Sequence, residues 1–132
     1  MNRNPSRPLS PHLTIWKWGP HMAVSILHRV TGVGLAVIGG IVFVWWLAAA
    51  ASGPDAYATF MGWATWKWVL IVPIGLTWAL FQHLLSGLRH FVMDIGAGFE
   101  LRTNKTWAIM TMIGSVLLTV ALWVYIIVFR SA

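Results

Sequence analysis

The chain has 132 residues, 58% of them hydrophobic and 9% charged, with a mean hydropathy of +0.74 and a formal net charge of +6. A soluble domain carries roughly a quarter of its residues as charges, so a water-soluble globular fold is excluded. With no cysteine, disulfides and thiolate metal or cluster sites are excluded too.

Residues 1–23 form a polar, Pro-rich lead with Pro5, Pro8, Pro11 and Pro20. Proline lacks a backbone donor and keeps its predecessor out of helix, so this lead reads as extended chain and short turns. It has neither the apolar h-region of a secretory signal nor the long Arg/Ser amphipathic pattern of a transit peptide, so the first span is expected to be retained. Residues 24–132 read as one membrane domain. Its apolar runs at about 24–51, 63–93 and 107–129 each exceed the ~20 residues that cross a bilayer. Ser52, Gly53, Pro54 and Asp55 predict a turn after the first run. Pro73 predicts a kink in the second, and 94–105 a short polar connection. The fold class expected is all-α, a bundle of three transmembrane helices.

Basic residues set the orientation. Arg3, Arg7, Lys17, Arg29, Arg89, Arg102 and Lys105 fall on one side, and Lys67 and Arg130 on the other. The positive-inside rule then places the N-terminus and the second connection in the cytoplasm, and a bacterial inner membrane is the simplest location. Because these cations cap apolar runs instead of clustering on one wet face, no nucleic-acid partner is expected. Trp16, Trp18, Trp63, Trp66, Trp68 and Trp107 lie near the run ends, as in an aromatic belt.

Ionisable residues inside the runs are the functional candidates. His83 lies seven residues before His90, about 10 Å deeper in the membrane, with Ala79 and Gly87 one turn to either side. A neutral imidazole has one N–H to satisfy and one lone pair that a haem iron can take; the bland reading is a histidine bonded to a neighbouring helix. Ser25, His28, Arg29 and Gly32 share one helical stripe, and Gly32, Ala36 and Gly40 extend it as a small-residue packing edge. His83, Gly87, His90 and Asp94 form a second stripe. Arg29 offers a planar fork of donors for a carboxylate or a polarised carbonyl, or else snorkels to the headgroups as an anchor. Ser25 can donate to a quinone carbonyl or bond back to its own helix. His90 and Asp94 also read as a simple i,i+4 pair ending a helix.

Three segments together carry a resemblance. The run Arg7-Pro8-Leu9-Ser10-Pro11-His12-Leu13, then Ser25-Ile26-Leu27-His28-Arg29-Val30-Thr31-Gly32, then His83-Leu84-Leu85-Ser86-Gly87-Leu88-Arg89-His90 through Asp94, resembles the cytochrome b subunits of succinate dehydrogenase, the larger membrane anchors of respiratory complex II. Motif order, span count and length match over nearly the whole chain. The resemblance implies His83 as an axial ligand of a haem b whose second ligand comes from a partner anchor subunit. It implies His28 and Arg29 beside the haem propionates, and Ser25 and Arg29 at the ubiquinone site. Where the family often has tyrosine this chain has Trp16, so no role is carried onto that position.

The activity so implied is that of a succinate:quinone oxidoreductase subunit, not catalytic alone. Its expected partners are a second small membrane anchor that completes the bundle, an iron–sulfur subunit, a flavoprotein subunit, quinone and the lipid bilayer. Flavin, clusters and succinate site would belong to the soluble partners, because this chain has neither cysteine ligands nor a dinucleotide fingerprint. The alternative from another class is a non-redox membrane scaffold whose histidines only bond between helices. A transporter half would show paired broken helices or repeat symmetry, and neither is present.

Overall fold

The computed structural model describes Ser6 and residues 17–130, and every regular element among them is a helix. Segment 7–13, the prolines at 5, 8 and 11, and Trp16 lie outside the described residues. Helix α1 runs Pro20–Ser52, starting four residues before the apolar run because Pro20 occupies a first-turn position where its missing N–H costs nothing. Inside it, Leu35–Gly39 wind as a π-helical segment. Gly53 ends the helix at φ 107°, ψ −179°, a conformation only glycine adopts without strain.

The chain then departs from the expected second run. Pro54–Ala64 forms a separate helix, α2, whose 11 residues reach only about 16 Å. It folds back on the C-terminal half of α1, where Trp45 meets Phe60 and Trp63 edge-on at 5.1 and 6.3 Å. Turns over 65–70 lead into α3, Ile71–Asp94, which is the second helix long enough to span. Pro73 therefore stands in the first turn of α3 instead of its interior and needs no kink. Helix α4 covers Leu101–Arg130, six residues earlier than the apolar run. Polarity delimits the apolar run but does not stop a helix, and Asn104 fastens this polar turn. Its amide donates to the Gly98 carbonyl at 3.3 Å, and its carbonyl accepts from Arg89 Nη2 at 2.7 Å.

Helix α3 is the centre of the bundle, packed on α1 and on α4. The interior inverts that of a soluble protein. Gln82, Ser86 and Ser115 are fully buried, with Thr31, Thr111, Thr119 and Arg89 nearly so, while leucine, isoleucine and valine cover the outside. Lipid is as apolar as leucine, so helices associate through small residues and hydrogen bonds. Ser115 donates to Gln82 Oε1 at 2.8 Å across α4 and α3, a bond of a class worth about 0.6 kcal/mol in a bilayer. Trp63, Trp66, Trp68 and Trp107 are all exposed.

The small-residue edge divides. Gly32 packs on α3, but Ala36 is exposed and the space beside Gly40 is open. Steps of four residues advance about 40° beyond a full turn, so the edge winds off α3 onto an outward groove of about 630 Å³ that Val37, Ile41 and Val44 also line.

Candidate functional site

Where α1 crosses α3 the sequence brings three histidines together. His83 lies eleven residues before the end of α3, about 16 Å inside it. Its ring stacks on that of His28 with centroids 4.0 Å apart and planes 11° apart. His90, two turns further along α3, sets its ring edge-on to His28 at 4.9 Å. The three imidazoles line one side of an open cleft of about 370 Å³, with Gly87 between them and Leu84, Leu88 and Phe91 as its apolar walls.

This close approach follows from Gly32. A Cβ at that position would stand 2.8 Å from His83 Cε1, so only glycine leaves room for the imidazole against α1. Thr31, the next residue, is buried and donates its hydroxyl hydrogen to the Leu27 carbonyl at 2.7 Å, turning its oxygen lone pair toward α3. His83 Nδ1 lies 3.1 Å from the His28 carbonyl oxygen and 3.4 Å from Thr31 Oγ1. With a carbonyl as the nearer partner, Nδ1 must carry the hydrogen. The Nε2 lone pair of His83 is then free. A backbone carbonyl holding one ring nitrogen while the other stays available is how proteins fix a metal-binding histidine.

His28 is held by Ser86, one turn after His83 and fully buried, whose Oγ is 2.6 Å from His28 Nδ1. The same hydroxyl lies 3.3 Å from the His83 carbonyl. Two contacts of opposite sense therefore join the helices: His83 to the backbone of His28, and His28 to the side chain of Ser86. No carboxylate lines the cleft. Among the described residues no group of three His, Asp or Glu side chains is placed to hold a bare metal ion. The arrangement offers one positioned nitrogen ligand and a flanking imidazole able to meet an anionic group.

Ser25 and Arg29 stand apart from this cleft and do not line it. Arg29 is exposed and Ser25 half-buried on α1. The expectation that the His83 imidazole and the Arg29 guanidinium share a pocket is not met in the histidine cleft of this chain, which His28 lines and Arg29, one residue and about 100° further around the helix, does not. Arg29 nevertheless directly follows His28, whose ring stacks on that of His83. Asp94, at the end of α3, is exposed. Reading from sequence singled out neither Thr31 nor Ser86, although each follows a histidine by three residues and so shares its helix face.

Gly32→Ala tests the close approach directly. Its methyl group would push the His83 ring off the His28 carbonyl. Loss of such an outer partner commonly weakens a metal ligand's hold by about 10–100-fold, so if a group is bound through His83 it is expected to be held more weakly by about that factor. Quantitative pigment extraction from the purified variant measures it.

Comparison with known proteins agrees with the geometry. Residues 3–122 match the model of the succinate dehydrogenase/fumarate reductase transmembrane subunit family. The chain is 38% identical over 125 residues to the succinate dehydrogenase cytochrome b556 subunit of Paracoccus denitrificans, covering 94% of this chain and 95% of that one. It is 39% identical over 118 residues to the corresponding subunit of Rickettsia conorii, covering 89% and 91%. The mitochondrial cytochrome b560 subunit of Mus musculus is 37% identical over 109 residues, which are 76% of this chain and 60% of that one. A match over nearly its whole length, three helices fit to span a bilayer and a fixed histidine at their crossing together show that the chain belongs to the family of succinate dehydrogenase/fumarate reductase transmembrane subunits.

Proposed function

We propose that this chain is the larger membrane anchor of a succinate:quinone oxidoreductase, that it holds one haem b through His83, and that it forms part of the ubiquinone site through Ser25 and Arg29. The observation that carries the haem reading is the contact of His83 Nδ1 with the His28 carbonyl at 3.1 Å, which leaves Nε2 as a free ligand. The residues present fit the group. Gly87 places no side chain between His83 and the cleft, Leu84, Leu88 and Phe91 offer apolar contact to a macrocycle, and the histidine-lined side suits its carboxylates. The cytochrome names of the relatives support the same cofactor. When bound, a haem b supplies a one-electron redox site.

His83 would supply one nitrogen ligand to the haem, and a partner anchor subunit would supply the second. The outward groove past Ala36 and Gly40 is a surface on which a helix of a second small anchor subunit can pack closely. The soluble flavoprotein and iron–sulfur subunits, which oxidise succinate and carry its electrons, dock on the cytoplasmic side. That side is set by the seven basic residues at and around the lead, the start of α1 and the α3–α4 connection. Residues 1–23 are then a cytoplasmic lead and 24–132 the membrane domain, in the bacterial inner membrane.

Quinone reduction takes up two electrons and two protons. Arg29, exposed on α1 in the isolated chain, meets its substrate at the junction with the partner subunits. Its fixed positive charge stabilises negative charge growing on a quinone carbonyl oxygen. Ser25, one turn before it, donates a hydrogen bond at the same level. A reduced-minus-oxidised visible spectrum of the purified complex tests the reading. A b-type band is expected, and a flat difference spectrum with all subunits present would leave His83 as a helix-bonding histidine only.

A further inference from the structure

Arg89 has no part in that reading, although it is the one cation of the helices that is almost wholly buried among the described residues, at 6% exposed. Arginine does not shed its charge when it is desolvated, and a buried charge is costly unless an anion answers it. Here Nη2 donates to the neutral Asn104 Oδ1 at 2.7 Å, while Nε is buried without a hydrogen-bond partner. Arg89 also lines a groove of about 480 Å³ between α3 and α4, and no Asp or Glu lines it with Arg89. The bond to Asn104 fastens the connection but leaves the positive charge standing.

The groove has the depth of one leaflet. Arg89 lies five residues before the end of α3 and Trp107 six residues after the start of α4, each about 8–9 Å inside its helix end. This is the end of the bundle that the basic residues assign to the cytoplasm. From Trp107 the lining continues along α4 to Leu118, eleven residues or about 16 Å deeper, which is half of a ~30 Å hydrocarbon core. Leu85, Leu88 and Met110 form its apolar walls between those ends. A membrane helix of a partner subunit needs a contact face through both leaflets, whereas an acyl chain ends where this groove does.

We propose that the groove holds an anionic glycerophospholipid of the cytoplasmic leaflet, its phosphate against the Arg89 guanidinium and one acyl chain along Leu85, Leu88 and Met110 toward Leu118. A basic pocket between membrane helices on the cytoplasmic side is a recurrent setting for acidic headgroups, and guanidinium is the side chain whose donors best match a phosphate. Trp107 stands at the level of the headgroup, where tryptophan is favoured.

The test places the purified complex in nanodiscs of equal parts phosphatidylcholine and phosphatidylglycerol and counts the lipids it retains by native mass spectrometry. The wild-type complex is expected to prefer phosphatidylglycerol by at least about fivefold, the usual effect of one basic residue at a membrane surface. Arg89→Gln is expected to lose that preference and Arg89→Lys, which restores the charge, to keep most of it. Because Arg89 also holds Asn104, Met110→Trp serves as an independent arm. Met110 is exposed, so the indole fills the groove from the lipid side with the guanidinium left in place, and retained lipid of either kind is expected to fall. Equal phosphatidylglycerol retention in the wild-type and Arg89→Gln complexes, or full retention in Met110→Trp, would overturn the proposal. So would a wild-type complex without any preference, the result expected if a helix of a partner subunit covers the groove.

Discussion

His83→Ala is expected to give an assembled complex that has lost its haem. The substitution removes the one nitrogen that the α1–α3 crossing holds with a free lone pair, and its support remains behind: the His28 carbonyl, Thr31 and Gly32 are left facing a void. Loss of an outer partner of a metal ligand commonly weakens binding by about 10–100-fold, and loss of the ligand itself exceeds that. Haem per complex, measured by pyridine haemochrome against subunit content, should fall by more than about 100-fold in affinity. His28→Ala provides the contrast, because it removes the ring but keeps the carbonyl that orients His83. That variant is expected to keep haem with an altered potential. Full haem content in His83→Ala would end the ligand assignment, and equal loss in both variants would mean that the crossing, not the imidazole, had failed.

Arg29→Ala is expected to slow quinone reduction by on the order of 10²-fold, the usual effect of deleting a preorganised donor aimed at developing negative charge. Ser25→Ala, which removes a neutral hydrogen bond worth about 1 kcal/mol, should slow it about fivefold. Neither residue packs the histidine cluster or lines its cleft, so haem content should not change. Succinate oxidation with a soluble artificial acceptor bypasses the quinone and should stay near wild type in both variants. If both activities fell together, defective assembly would account for the loss and the quinone contact would be withdrawn.

The three spans and their order were legible because bilayer length is a strong filter on an apolar run. What composition alone does not carry is the backbone at the run ends. The stretch from Trp63 to Leu70 is apolar and aromatic enough to read as the start of the second run, yet its first residues close a short separate helix, Pro54–Ala64, and turns over 65–70 delay the span to Ile71. Pro73 read as an interior proline only because the start of α3 was set too early. The histidines at the site were legible because an ionisable group in an apolar run is costly and thus conspicuous. Thr31 and Ser86 were not, since hydroxyls in membrane helices usually bond back to their own turn, as Thr31 also does. Their bonds to the histidines exist only across the α1–α3 contact, and no spacing along one strand of sequence encodes the distance between two helices. For Arg29 the stripe shared with His28 does not carry over to the cleft, which Arg29 does not line.

The widened turn at Leu35–Gly39 has a consequence for how chain length can vary in relatives. A π segment is an α-helix that has absorbed an extra residue without rotating its flanks. Anywhere else along the first helix, losing one amino acid would swivel everything beyond by about 100° and carry the tryptophan-bearing C-terminal half away from its small covering helix. Here the deletion would merely tighten the coil back to regular pitch, leaving the histidine crossing below and the aromatic contacts above in their present alignment.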